Sequence, residues 1–239
     1  MGVIMYNGES SVDYGILVEH PPGYRIAQRD YEKIHIPGRN GDLIIDNGSY
    51  QNVPVTYQIA VGNRKKAFVE MANKISEWLN SASGYARLED SYEPEYYRLA
   101  AYQDETDIEN ILFHAGRTTI NFDCKPQRFL KSGDEVITLT QSAVIMNPTR
   151  FEALPIITVY GSGSGIINVA GNAVSISNID GYIVINSEIQ DAYKGSANKN
   201  SVVTFGNNNE FPVLGNGQNV INISGGITKV EVVPKWWTL

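Results

Sequence analysis

Apolar residues recur along the chain with two different periods. Val53, Val55, Tyr57, Ile59 and Val61 fall on alternate positions, with Pro54, Thr56, Gln58 and Ala60 between them. A period of two predicts a strand with one face in a core. Pro54 has no amide hydrogen to donate, so this strand is expected to begin at a sheet edge. Over residues 64–82 the period becomes helical: Phe68, Ala72, Ile75 and Leu79 form a stripe, with Met71 and Trp78 beside it. Asn63 is the expected N-cap and Gly84 the expected C-terminal stop. Further strands are predicted at residues 85–89, 97–102 and 117–124, which makes the first part of the chain α+β.

The second part is a succession of short β-branched segments, at residues 156–160, 166–170, 173–177, 182–186, 201–205, 220–224 and 228–233. Between most of them lie turn formers: Gly161-Ser162-Gly163-Ser164-Gly165, Gly171-Asn172, Asp180-Gly181, Asn207-Asn208-Asn209 and Gly225-Gly226. Each is read as a reversal of the chain. Strands at that spacing predict an antiparallel β-sandwich.

Charge places the boundary. Residues 1–145 hold 14 Lys+Arg and 20 Asp+Glu, whereas 146–239 hold 5 and 6, together with 13 Asn and 11 Gly. The expected domains are therefore residues 1–145 (α+β) and 146–239 (sandwich), joined without a flexible Ser/Gly/Pro linker. The net charge of −7 argues against a broad nucleic-acid-binding surface, since phosphates would be repelled. The single Cys excludes a disulfide within the chain and any multi-cysteine zinc site. No apolar run is long enough to span a membrane, and the opening residues lack the basic-then-apolar order of a secretory signal.

Candidate chemistry is sparse. The Gly161–Gly165 run is not followed by a helix, so it does not fit a phosphate loop. His20, His35 and His114 show no metal-ligand spacing. The carboxylates Glu89, Asp90, Glu93 and Glu95, and the second group Asp104, Glu105, Asp107 and Glu109, are read as solvated loop charges. Tyr92, Tyr96, Tyr97 and Tyr102, with Trp78, are expected in a core or an interface. Cys124 lies on the apolar side of an alternating strand and is expected to be buried. In the Trp236-Trp237 pair, one ring is expected to point inward. Asn147-Pro148 with Arg150 resembles a lectin's Asn-Pro-Arg signature, yet residues 146–239 contain no His, and their only Trp residues are the terminal pair. No glycan binding is expected of them. No catalytic, metal or cofactor residue is assigned, and the protein is read as non-enzymatic.

Three stretches, in order, resemble the distal tail protein (Dit) family of siphovirus bacteriophages and prophages. They are Pro37-Gly38-Arg39-Asn40-Gly41-Asp42-Leu43, leading through Asp46-Asn47-Gly48-Ser49-Tyr50; then Phe122-Asp123-Cys124-Lys125-Pro126-Gln127-Arg128-Phe129-Leu130; then Asn147-Pro148-Thr149 with Ala153-Leu154-Pro155-Ile156-Ile157-Thr158-Val159-Tyr160-Gly161. The resemblance implies a structural protein of the tail tip or baseplate, a homo-hexamer whose N-terminal domains form a ring and whose galectin-like sandwiches project from it. It implies contacts with the tail tube protein, the tail-associated hub or fibre protein and the tape measure protein, and a channel for DNA ejection. Its implied place is the virion, after synthesis in the bacterial cytoplasm. A carbohydrate-binding adhesin that recognises host cell-wall glycans is the alternative reading of the β-sandwich and the aromatics.

Overall fold

In the computed structural model the described residues are 1–61, 68–103, 117–206 and 209–239, and the side chains at 61 and 68–71 are not among them. Asn63, the Phe68 and Met71 side chains, the carboxylates at 104–109, His114, Asn207 and Asn208 therefore lie outside the described residues. The described part of the protein is mainly β with one α-helix. It divides into two compact units, Met1–Arg128 with Leu239, and Phe129–Thr238.

The first unit opens with β1 (Ile4–Tyr6), β2 (Glu9–Ser10) and β3 (Ile16–Val18). A two-stranded ribbon follows, β4 (Arg29–Ile34) and β5 (Leu43–Tyr50), and then β6 (Val53–Val61), α1 (Phe68–Leu79), β7 (Ala86–Asp90), β8 (Tyr96–Tyr102) and β9 (Arg117–Leu130). The main sheet has the order β2-β1-β7-β8-β9-β6-β3. Gly2 and Val18 exchange both backbone hydrogen bonds, at 2.8 and 2.9 Å, which brings β3 back to the residues leading into β1 and closes the sheet on itself. The closure is partial: among the described residues β2 pairs only with β1, and the first half of β6 pairs only with β9.

Inside lie Val53, Val55, Tyr57 and Ile59 from β6, and Ile120, Phe122 and Cys124 from β9, as their alternation requires. Pro54 pairs with Asp123 of β9, while β3 meets only the far end of β6 at Ile59–Val61, so the proline sits where β6 has a neighbour on one side. Helix α1 buries Ile75, Trp78 and Leu79 in the same core. The Trp78 indole donates to Tyr6 O (3.1 Å) and stacks on Tyr14 at 4.9 Å. The helix stops at Leu79 rather than running on towards Gly84. Asn80 ends it, donating from Nδ2 to Ser76 O (2.9 Å), while Ser81 N–H closes a tighter turn onto Trp78 O.

The second unit holds β10 (Ile137–Leu139), β11 (Ala143–Asn147), β12 (Ile156–Val169), β13 (Asn172–Asn186), β14 (Asp191–Lys194), β15 (Ala197–Asn198), β16 (Val203–Phe205), β17 (Gly217–Val233) and β18 (Trp237–Thr238). Here the expected turns need correcting. Gly161–Gly165, Asp180-Gly181 and Gly225-Gly226 do not reverse the chain; each lies inside one long strand, β12, β13 or β17. Six of the short segments are thus the two halves of three strands. The first half of β12 pairs with the last halves of β13 and β17, and its second half with their first halves, with register shifts around Gly161–Gly165. All three strands therefore bend together and pass from one sheet of the sandwich to the other. Hydrogen bonding joins the strands from β10 to β17 in one eight-stranded sheet whose bend makes two layers: one runs β10-β17-β12-β13-β14-β15, and the other runs β11-β17-β12-β13-β16. Ile157, Val159, Ile183, Ile185, Val230 and Val232 from the first meet Ile167, Val169, Val174, Ile176 and Ile221 from the second in a single core.

The glycines of the bend are there for room. A Cβ at Gly161 or Gly226 would collide with a backbone carbonyl oxygen, that of Gly226 or Ser162 respectively, and one at Gly165 would stand 2.5 Å from Ile227 Cγ1. Such close backbone approach is the other meaning of glycine in a strand. The expected turn at Gly171-Asn172 does reverse the chain: it joins β12 to β13 and is centred on Ala170-Gly171, both with positive φ.

The boundary at 145/146 falls inside the second unit, because β10 and most of β11 precede it and both pair with β17. Charge density reports solvent exposure, whereas the division between units follows strand pairing.

Candidate functional site

The polar cluster most suggestive of chemistry lies in the first unit, and it is not the loop charge that its sequence suggests. Asp90, at the end of β7, accepts hydrogen bonds on Oδ2 from Tyr24 Oη (2.7 Å) and Tyr57 Oη (2.8 Å), and on Oδ1 from the N–H groups of Tyr92 and Glu93 (both 2.9 Å). Glu93 bridges Arg98 (2.9 Å) and Arg128 (2.6 Å), and Arg128 also donates twice to Leu239 O. Burial, reinforced by Asp90, pushes the Tyr24 and Tyr57 hydroxyls well above their ordinary value. Of the four carboxylates in that run, Asp90, Glu93 and Glu89 (2.5 Å from Arg87) are tied down; only Glu95 is an exposed loop charge. The space between these groups is small, and the hollow of about 140 Å³ against Tyr24, Arg98 and Arg128 is lined by no Asp or Glu side chain. The gap bordered by Tyr57, Asp90, Glu93 and Arg98 measures about 10 Å³, at most one water. These groups tie β6, β8 and β9 to the end of β7 and the loop that follows it.

More open hollows lie on the outer side of β6. One of about 500 Å³ is lined by His20, Pro21, Pro22, Arg25, Thr56 and Gln58, and its neighbour of about 470 Å³ by Arg25, Ile26, Gln28, Gln51 and Asn52. No carboxylate lines either, so neither offers the acid–base pair that a hydrolase needs. Among the described residues no group of three His, Cys, Asp or Glu is arranged to hold a metal ion. His20 borders the first hollow, and His35 lies 3.3 Å from Asp42 on the ribbon.

The remaining candidates resolve into packing. Cys124 is fully buried, and burial pushes its thiol up to about 12. Trp236 is buried, and Trp237 stacks on Phe151 at 4.4 Å while its indole donates to Glu152 O. Tyr97 lies under the Arg87 guanidinium and Tyr102 packs edge-on against Phe122. Asn147, the residue that suggests a lectin signature, is buried and fully engaged: Nδ2 donates to Phe151 O and Leu214 O, and Oδ1 accepts from Thr149 N and Oγ1. It holds its own loop and has nothing left for a sugar.

The ribbon β4–β5 is different in kind. Its register sets Tyr31 opposite Asp46, Lys33 opposite Ile44 and Ile34 opposite Leu43. Tyr31, Lys33 and Ile44 share one face, while Ile34, Leu43 and Ile45 share the other, and all of them are exposed. Ile36 is exposed beyond the end of β4. Polar contacts hold its base, with Arg29 2.8 Å from Asp46 and Asp30 accepting from Asn47 Nδ2. The ribbon thus exposes apolar side chains on both faces, a feature that single scattered surface residues do not give. The pattern Leu43-Ile44-Ile45 is visible in the sequence, but without alternation it gives no sign of which face is exposed.

No family model and no curated protein sequence matches this protein. Among solved structures, its two-unit β architecture is that of a bacteriophage distal tail protein. The structure in question is the crystal structure of the SPP1 Dit (gp 19.1) protein, described as a paradigm of the hub adsorption apparatus of phages that infect Gram-positive bacteria; it superposes with a TM-score of 0.76 over 100% of both proteins at 15% identity. The fold is therefore shared from end to end.

Proposed function

We propose that this protein is a structural subunit of a bacteriophage tail tip, a distal tail protein of the siphovirus or prophage kind, and not an enzyme. The observation that carries the reading is the full-length fold likeness to SPP1 Dit. In this reading six copies form a ring through their first units, one ring face meets the tail tube protein, and the other meets the hub or fibre protein. The tape measure protein ends at the ring, and the galectin-like sandwiches project from it. The ribbon supports the reading, since exposed apolar residues are concentrated on it. A head-to-tail contact that closes into a ring uses two different patches per subunit and leaves none free. The net charge of −7 suits a channel through which DNA leaves, because an acidic wall does not retain phosphate. The site of action is the virion.

Negative-stain microscopy and light scattering of the whole purified protein test this. Sixfold rings are the expected result. A protein that stays monomeric at high concentration, and is also absent from the tail-tip density of the virion, would refute it.

A further inference from the structure

The sequence contains four Asn-Gly pairs: Asn7-Gly8, Asn40-Gly41, Asn47-Gly48 and Asn216-Gly217. In such a pair the following amide nitrogen reaches the asparagine Cγ easily, because glycine has no Cβ in the way and its backbone turns freely. The fold treats the four differently. Asn7 Nδ2 donates to Ser81 Oγ and its backbone N–H to Arg87 O, both at 3.0 Å. Asn47 Nδ2 donates to Asp30 Oδ2 at 3.1 Å, and the Gly48 N–H that would have to attack is donated to Asp46 Oδ1 at 2.8 Å. Asn216 Nδ2 donates to Thr149 O at 2.6 Å, and Gly217 is held in register with Asn147 in the sheet. Asn40 has none of these restraints. It is exposed, its amide group has no hydrogen-bond partner among the described residues, and Gly41 (φ +79°) has open space around its Cα.

We propose that Asn40-Gly41, in the loop at the tip of the ribbon, is a site of spontaneous deamidation with water as the only co-reactant. The Gly41 amide nitrogen gives its proton to hydroxide and bonds to Asn40 Cγ. The bond between Cγ and Nδ2 breaks, and Nδ2 takes a proton from water and leaves as ammonia. One water then opens the five-membered imide at either carbonyl, giving aspartate or isoaspartate; no redox partner is involved. Either product adds one negative charge two residues from Asp42, and isoaspartate also routes the backbone through an extra methylene. The ribbon tip thus carries a chemical clock, set by a loop that leaves one asparagine untethered. The chemistry holds whether or not the ribbon serves in a ring.

The whole folded protein, incubated at mildly alkaline pH and peptide-mapped by mass spectrometry at intervals, tests the proposal. Asn40 is expected to convert roughly tenfold faster than Asn7, Asn47 or Asn216, the factor that about 1.4 kcal/mol of barrier represents. In the urea-unfolded protein the four rates should converge. Asn40→Gln should remove the early conversion without changing the melting temperature. Equal rates at the four sites in the folded protein, or a native rate order that persists unchanged in urea, would overturn it.

Discussion

The sandwich of the second unit and the ribbon of the first are both antiparallel β-structure rich in branched residues, and they use those residues in opposite ways. In the sandwich, Ile157, Ile167, Ile185 and Ile221 are wholly buried between two sheets made by the same three strands. On the ribbon, Ile44 is 59% exposed and Leu43, Ile45 and Tyr31 also face outward. Burial of a branched side chain is worth about 1.5–3 kcal/mol whether the partner surface belongs to the same molecule or to another. The sandwich realises that gain on folding. In the proposed function, the ribbon holds it back until association. That reading assigns stability and assembly to different residues, so substitutions should separate them.

The largest effect on stability is expected at the glycine bend. Gly226→Val puts side-chain atoms into the space of the Ser162 carbonyl, and the two sheets part at that corner. We expect a loss of more than about 3 kcal/mol in urea denaturation. A loss comparable with a surface substitution would show that the bend tolerates a side chain, and would break the contrast from the sandwich side. Next comes Asp90→Asn in the first unit, where two tyrosine hydroxyls lose a carboxylate acceptor. The same measurement should show a cost of about 1–3 kcal/mol.

High pH supplies a third, graded test. The Cys124 thiol is held up to about 12 by burial, against an ordinary 9.0, and Tyr24 and Tyr57 are raised by burial as well. Between those values the unfolded protein has released a proton that the folded protein still holds. Stability is therefore complete below about pH 9 and falls as pH rises towards about 12. The urea midpoint should be level up to about pH 9 and decline beyond it, with a shallower decline in Cys124→Ala. No decline would mean that these groups are open to solvent. The smallest effect on stability belongs to the ribbon. Ile44→Asp should change the unfolding free energy by no more than about 0.5 kcal/mol while abolishing ring formation in negative stain. Rings that survive this change would remove the ribbon from the assembly surface.

The sequence made the strands legible and their connections much less so. The alternation of Val53 to Val61 and the stripe of Ile75 and Leu79 located real elements, since one-sided burial leaves a periodic trace. Gly161–Gly165 and Gly225-Gly226 mislead because glycine marks both a reversal and a place where two backbones nearly touch. Only cross-strand register tells these apart, and register depends on residues some sixty positions away. Asp90 and Glu93 mislead for a related reason. A charge run usually faces water, but here Tyr24, Arg98 and Arg128 arrive from other parts of the sequence to enclose it. The ribbon's outward apolar faces were not legible, because exposure follows from what a strand fails to pair with.

The shared bend also bears on mechanical load. Where loops join two sheets, a sideways force is resisted mainly by side chains sliding over one another. Here β12, β13 and β17 each continue through the corner, so shearing one sheet past the other pulls directly on three covalent backbones. The sandwich behaves as a folded strap with a stiff crease, and a load applied across it would meet bonds at that edge before it met packing.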